Sequence, residues 1–358
     1  MAIRVVHIGT GNVGRLALAE LIENPVFELV GLCVSNPDKV GRDAGELAGL
    51  DLTTGVRASD DLDALLAGTD PQCAVYCAMG DTRMPQAMDD VRRILAAGVN
   101  VVGSAPGVLE FPWQVIPDQF ITPIEDAARL GNSSVFVNGV DPGFVTDLIP
   151  LAFASTCRSI EQVRCMEIAD YATYDGAIVM FDVMGFGKPL DEVPILFQPG
   201  VLSIAWGSAL RQLAAGLNIS LDAITESYDR EPAPEAFDVA AGHIPQGGVA
   251  AVRFQINGMV DGHPALVVEH VTRLRDDLRP DWAQPAQPGG SYRVEITGEP
   301  SYAVDICPTS NLGDHNHAAI SGAAGRIVNA IPAVVAAPPG VRTTLDLPLT
   351  FTACLRGW

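Results

Sequence analysis

The sequence predicts an α/β protein: an N-terminal doubly wound parallel sheet, followed by a second α+β domain built on an open, largely antiparallel sheet. Three observations carry this. Up to about residue 140, short apolar runs such as "IRVVHIG" (3–9), "CAVYCAM" (73–79) and "SVFVNG" (134–139) alternate with stretches of helical periodicity. Continuous apolar strands separated by helices suit a parallel sheet covered on both faces. Beyond that point the strands alternate polar and apolar residues and fold back through turn signals, as antiparallel neighbours do. Finally, "HAAISGAAGRIVNAIPAVV" (317–335) returns to helical periodicity with small residues and is expected to pack back on the first domain.

Taken in order, the first strand leads into "NVGRLALAELIEN" (12–24), whose Val13, Leu16, Ala17 and Leu21 recur at helical spacing. "ELVGLCV" (28–34) and "VNVVG" (99–103) are further strands, with "MPQAMDDVRRILAAG" (84–98) and "PIEDAARLG" (123–131) as helices. In the second domain "VRCMEIADY" (163–171), "GVAAVRFQINGMVDGHPALVVEHVTRLR" (248–275) and "SYRVEITGEPSYAVDI" (291–306) supply strands that reverse at Asp261-Gly262 and Gly298-Glu299-Pro300. "SIAWGSALRQLAAGL" (203–217) is a helix, and "LRPDWAQPAQPGG" (278–290) a Pro/Gly-rich loop. The expected boundaries are 1–138, 139–315, and a C-terminal helix and tail over 316–358.

The chain carries 43 acidic against 22 basic residues, a net charge of −21. That balance repels nucleic acid and anionic membrane, so neither is an expected partner. Apolar stretches are interrupted before the roughly 20 residues a membrane helix needs, and the N-terminus runs directly into a strand rather than a signal peptide. Seven scattered cysteines (Cys33, Cys73, Cys77, Cys157, Cys165, Cys307, Cys354) without a CxxC pair read as free thiols of a cytoplasmic protein.

In "HIGTGNVGR", Gly9, Gly11 and Gly14 follow the first strand and open the first helix. There the first glycine allows the tight turn, the second lets backbone approach a pyrophosphate, and the third permits close helix–strand packing. This is the fingerprint of a Rossmann domain. The pyrophosphate rests on N–H groups at the helix start, so Thr10, Asn12 and Val13 join the glycines as candidate contacts. The expected cofactor is a nicotinamide dinucleotide. An acid after the second strand would bind the 2′-hydroxyl of NAD; here Ser35-Asn36 stands there, with Lys39 and Arg42 beyond. Hydroxyl, amide and cations suit a 2′-phosphate, so NADP is favoured and NAD is the alternative. Met79, Gly80 and Thr82 in "CAMGDTR" (77–83), and Ser104 after "VNVVG", are either further cofactor contacts or parts of plain strand-end loops.

The loop "SAPGVLEFPW" (104–113) holds one carboxylate, Glu110, among apolar residues. Ligands of open α/β sheets bind beyond the carboxyl ends of the strands, which puts Glu110 on the nicotinamide side. If domain closure by Phe111 and Trp113 keeps it dry, it suits acid–base work in reduction of C=N or C=O; otherwise it is an ordinary exposed loop residue.

The chain resembles the dihydrodipicolinate reductase-like superfamily, and within it the branch of 2,4-diaminopentanoate dehydrogenase and the native amine dehydrogenases. The likeness covers nearly the whole chain. It rests on "HIGTGNVGR", "VNVVGSAPGVLEFPW", "NGVDPGF" (138–144), "MGFGKP" (184–189) and "AGRIVNAIPAVVAAPPG" (324–340). The resemblance implies NAD(P)-dependent oxidative deamination, reversible as amination of a ketone or aldehyde with ammonia, by a homodimer. It also implies that Glu110 handles the proton of ammonia or amine. Rival readings are an ammonia-independent imine or ketone reductase, and a non-catalytic NADP-binding sensor.

Asp141-Pro142 reads as a helix cap followed by a first-turn proline. Phe144, Tyr171 and Tyr174 are candidates for the walls of a substrate pocket, or for ordinary core. His315 and His317 alternate in what reads as a loop, without a third ligand nearby, so no metal is expected.

Overall fold

The computed structural model describes residues 2–80 and 82–352, so the Cys354 thiol lies outside the described residues. The chain forms two units, Met1–Val140 with Ile320–Trp358, and Asp141–Ala319. The first unit begins with β1 (Ile3–Ile8), α1 (Asn12–Glu23), β2 (Phe27–Cys33), α2 (Ala44–Ala48), β3 (Ala58–Ser59) and α3 (Leu62–Thr69). It continues with β4 (Cys73–Tyr76), α4 (Met84–Ala96), β5 (Asn100–Gly103), α5 (Asp118–Gly131) and β6 (Ser134–Val137). The second unit holds α6 (Leu148–Ala154), β7 (Ser159–Asp170), α7 (Val201–Gly216), β8 (Ala223–Pro232), β9 (Phe237–Val239) and β10 (Gly242–Ile244). Then come β11 (Val249–Val260), β12 (His263–Arg273), β13 (Gly290–Glu299) and β14 (Tyr302–Ile306). Last are α8 (His315–Val328), α9 (Ile331–Ala336) and β15 (Gly340–Arg342).

The first unit is built on a seven-stranded sheet in the order β15-β6-β5-β4-β1-β2-β3, parallel throughout. Register fixes what matters for function. Ile8 lies opposite Tyr76, Tyr76 opposite Gly103, and Gly103 opposite Val137. The loops after β1, β4, β5 and β6 therefore leave one edge of the sheet side by side.

The run His315–Ala336 is long and apolar enough to cross a membrane by length and composition, contrary to the expectation that no stretch reaches that limit. Its apolar residues instead serve a core: Ala324, Ile327, Val328, Ile331 and Val334 are buried with Val5, Val75, Val102 and Phe136 of the parallel sheet.

The second unit is built on a six-stranded sheet in the order β14-β13-β7-β12-β11-β8. β7 and β12 pair in parallel, and the other neighbours are antiparallel. The β11–β12 hairpin turns on Asp261 and Gly262, both at positive φ (50° and 76°), as a two-residue hairpin of matching twist requires. Cys165, Val268, Ile256 and Val294 share the core face of this sheet with Leu210 and Leu213 of α7. On the same face, one rung further along, Tyr292, Glu167, His270, Phe254 and Tyr228 lie in register across five strands.

Candidate active site

The glycine turn is packed behind and open in front. Gly9 has φ +92°, and a Cβ there would meet the backbone of Cys77 and Ala78 at 2.7 Å. A Cβ on Gly14 would lie 2.3 Å from the Gly9 carbonyl oxygen. A Cβ on Gly11 would meet no atom within 4 Å. That position, with φ −77°, caps α1 without any side-chain hydrogen bond, so the first N–H groups of the helix face the open side. This cradle fits a dinucleotide pyrophosphate. His7 supports it from below: burial pushes its imidazole down to about 4, and the neutral ring makes a 2.7 Å hydrogen bond with the Gly9 carbonyl.

Around the cradle the predicted contacts divide. Lys39 Nζ donates to Thr10 O at 3.1 Å and Thr10 Oγ1 at 2.9 Å, which holds its cation against the turn. Arg42 is instead tied to Glu46 on the surface, Nη2 to Oε1 at 2.9 Å. Ser35 is exposed beyond β2, and Asn36 Oδ1 accepts from Asp38 N at 2.9 Å, capping the short turn Pro37–Lys39. Val13 packs into the core, so it can offer a ligand only its backbone; Asn12 opens α1. Met79 and Thr82 are exposed. Gly80 is buried, and a Cβ on it would come within 3.0 Å of Ala105 in the glutamate loop. Ser104 donates its N–H to Tyr76 O at 3.1 Å and is hydrogen-bonded to Cys77, whose thiol burial pushes up to about 12.

Glu110 ends a 3₁₀ turn, Gly107–Glu110, seven residues beyond the last residue of β5. It is 1 % exposed, with Val108 and Leu109 buried beside it. Phe111 and Trp113 meet edge to face at 5.0 Å, and Trp113 Nε1 donates to Glu125 Oε1 on α5. Together they line a groove of about 550 Å³ with Arg129 and Arg342.

In the second unit the expected cap at Asp141 is corrected. Asp141 is extended (φ −148°, ψ 111°) and Gly143 has φ +135°, so no helix starts there. Gly143 N donates to Thr146 Oγ1 at 2.8 Å, and the cap falls to Asp147, whose side chain accepts from Leu148 N. Phe144 therefore sits in an irregular segment rather than on a helix start. Tyr171 and Tyr174 follow β7 as a tilted ring pair 5.5 Å apart. His315 and His317 are likewise corrected: they lie in the first turn of α8, not in a loop. His315 Nε2 is 2.6 Å from the Asp170 carbonyl oxygen.

The freed Asp141 joins a cluster that spacing in the sequence does not reveal. His270 Nε2 lies 3.2 Å from Asp141 Oδ2, and its Nδ1 lies 3.8 Å from Glu167 Oε1. Ligand-type atoms of the three fall within 4.8 Å of one another. Trp206 Nε1 donates to Asp141 Oδ1 at 2.9 Å, and the Tyr171 hydroxyl donates to Glu167 Oε1. The available signal was alternation: Glu167 and His270 fall on the same face of their strands as the apolar Cys165 and Val268, two residues earlier.

Residues 144–356 match the model of the 2,4-diaminopentanoate dehydrogenase C-terminal domain, and residues 3–108 that of the dihydrodipicolinate reductase N-terminus. An amine dehydrogenase of Streptomyces virginiae is 39% identical over 343 residues, 95% of each chain. The chain belongs to the 2,4-diaminopentanoate dehydrogenase family. It is an NAD(P)-dependent oxidoreductase with a Rossmann-type binding domain. The 2,4-diaminopentanoate dehydrogenase of Acetoanaerobium sticklandii is 24% identical over 365 residues, covering 97% of this chain and 94% of that one. The family fold extends to an amine dehydrogenase structure from Mycobacterium smegmatis, with TM-score 0.80 over 98% of both chains at 21% identity.

Proposed function

We propose that this chain is an NADP(H)-dependent amine dehydrogenase. It makes a small, partly apolar amine from a ketone or aldehyde and ammonia, and in reverse it deaminates the amine oxidatively. One observation carries the reading: Glu110, 1 % exposed, lies on the loop after β5, which leaves the sheet at the same edge as the glycine turn with β4 between them. A water-poor carboxylate at the nicotinamide side can hold and return a proton where bulk solvent cannot.

Glu110 takes a proton from ammonium, and the ammonia released forms the new C–N bond at the carbonyl carbon. The same carboxyl then protonates the departing hydroxyl, which leaves as water. The resulting iminium faces the ionised carboxylate, whose charge stabilises it more strongly than in bulk solvent. When bound, the nicotinamide supplies the hydride, or takes it up in the reverse reaction. Gly11 and the first N–H groups of α1 would hold the pyrophosphate, and Lys39, anchored at Thr10, would meet the 2′-phosphate. Phe144, Tyr171 and Tyr174 would wall the substrate. A cytoplasmic homodimer completes the reading.

The test is consumption of NADPH with a panel of small ketones and aldehydes, with and without ammonium. Turnover that requires ammonium and yields the amine is expected. Turnover without ammonium would replace this reading by a ketone or imine reductase, and NADPH binding without turnover by a sensor.

A further inference from the structure

His270 is placed unusually for a histidine in a sheet core. Its ring stacks on Phe254 at 4.6 Å and 11° and meets the Trp206 edge at 4.7 Å. Each ring nitrogen lies within ion-pair distance of a carboxyl group, Asp141 on one side and Glu167 on the other, without an aligned hydrogen bond between His270 Nε2 and Asp141 Oδ2. The side chains of these three residues are only 5%, 1% and 10% exposed. An imidazolium stacked on the Phe254 face and set between two buried carboxyl groups gains from both kinds of neighbour, where a neutral ring would not. Asp141 and Glu167 accordingly hold the His270 ring above its ordinary range despite burial, while burial raises Glu167. The titratable groups facing His270 are Asp141 from the loop before α6 and Glu167 from β7, with Glu269 beside it on β12.

The cluster has an outlet. The Tyr171 hydroxyl donates to Glu167 Oε1, and Tyr292 is also hydrogen-bonded to Glu167. The turn carrying Tyr171 is pinned from behind as well: Asn316 Nδ2 donates to Asp170 O at 3.1 Å and to Thr173 Oγ1 at 2.8 Å. Tyr171 N–H itself donates to Arg273 O at 2.9 Å, so hydroxyl and backbone both hold the residue, and Tyr174 packs against its ring.

We propose that Asp141, His270 and Glu167 form a buried ionic anchor for Tyr171, and that this anchor sets the aromatic wall that receives an alkylammonium substrate. A protonated amine is attracted to a fixed tyrosine face, so His270 acts as a positioning residue for amine affinity rather than as a catalytic group. The inference rests on the amine dehydrogenase reading for its substrate, but the anchor itself can be judged without turnover.

Two measurements test it. Histidine ¹⁵N NMR, with the His270 signal assigned by its loss in His270→Gln, should show an imidazolium still present at pH 7, above the ordinary range of a histidine. In Asp141→Asn it should become neutral at lower pH. A neutral His270 ring at pH 7 in the unaltered protein overturns the anchor, whether or not any amine is turned over. In kinetics, Tyr171→Phe and His270→Gln should each raise KM for the amine about tenfold, the scale of one lost contact. They should leave kcat and NADP affinity within a few-fold. Unchanged KM with a lowered melting temperature would reduce the cluster to a structural role and overturn the proposal. Activity lost to a chelator and restored by zinc would overturn it in favour of a metal site. Complete inactivity of the unaltered enzyme on amines would refute the amine reading, while the NMR result would still decide the anchor.

Discussion

Gly11→Ala and Gly14→Ala separate ligand space from packing space within one motif. At Gly11 the added methyl meets nothing within 4 Å and φ is −77°, which alanine adopts freely. Alanine's weaker N-cap preference, about 0.5–1 kcal/mol, is offset by the lower entropy of its unfolded chain, about 0.4–1 kcal/mol, so the fold is left nearly unchanged. A pyrophosphate resting on that backbone would be pushed off by the methyl. Each charge-assisted hydrogen bond lost is worth about 1.5–3 kcal/mol, or roughly 10–100-fold in affinity. At Gly14 the methyl would sit 2.3 Å from the Gly9 carbonyl oxygen and 3.1 Å from Cys77 Cβ. Overpacking of that kind costs about 1–3 kcal/mol or more, and lowers the melting temperature of a domain this size by roughly 2–12 °C. Calorimetric titration with NADPH and thermal melts of both variants read the two effects. The expected result is weak binding with an unaltered melt for Gly11→Ala, and a lowered melt for Gly14→Ala. Full NADPH affinity in Gly11→Ala would refute the assignment of that open face to the cofactor.

Further outcomes follow from single residues. Lys39→Ala should weaken NADPH binding about tenfold or more and leave NADH binding nearly unchanged, since one charged contact to a phosphate is worth at least ~1.5 kcal/mol; equal effects on both cofactors would contradict the NADP preference. Glu20 on α1, whose carboxyl burial pushes up to about 7, should make stability pH-dependent. The folded chain keeps a proton that the unfolded chain releases near 4.5, so stability falls as pH rises from about 4.5 to 7, by up to roughly 3 kcal/mol. Denaturant melts of Glu20→Gln should therefore show a gain over the parent at pH 8 and little at pH 4.5; equal gains at both would contradict the shift.

The sequence reveals those parts of the fold and site whose causes are local. Gly9, Gly11 and Gly14 are legible because their spacing marks one strand–turn–helix, although part of what crowds Gly9 and Gly14 is Cys77 and Ala78 beyond β4. The parallel and mixed sheets follow from apolar runs in one half and alternation in the other. Asp141 misleads for the same reason: Asp-Pro carries a local capping signature, but the extended Asp141 and the positive-φ Gly143 delay the helix and Asp147 takes the cap. What stays hidden depends on register. Glu167 and His270 meet only because β7 and β12 pair in parallel, and Asp141 reaches them through a loop. Arg42 shows the opposite limit, since nothing in its spacing from the glycines tells that Glu46 holds it on the surface.

The most direct test of the acid–base assignment is Glu110→Gln, which keeps the shape of the side chain and removes its proton. Single-turnover and steady-state amination should fall by about 10²–10⁴-fold, with NADPH affinity and the thermal melt as in the parent. Amination within a few-fold of the parent rate would contradict the account.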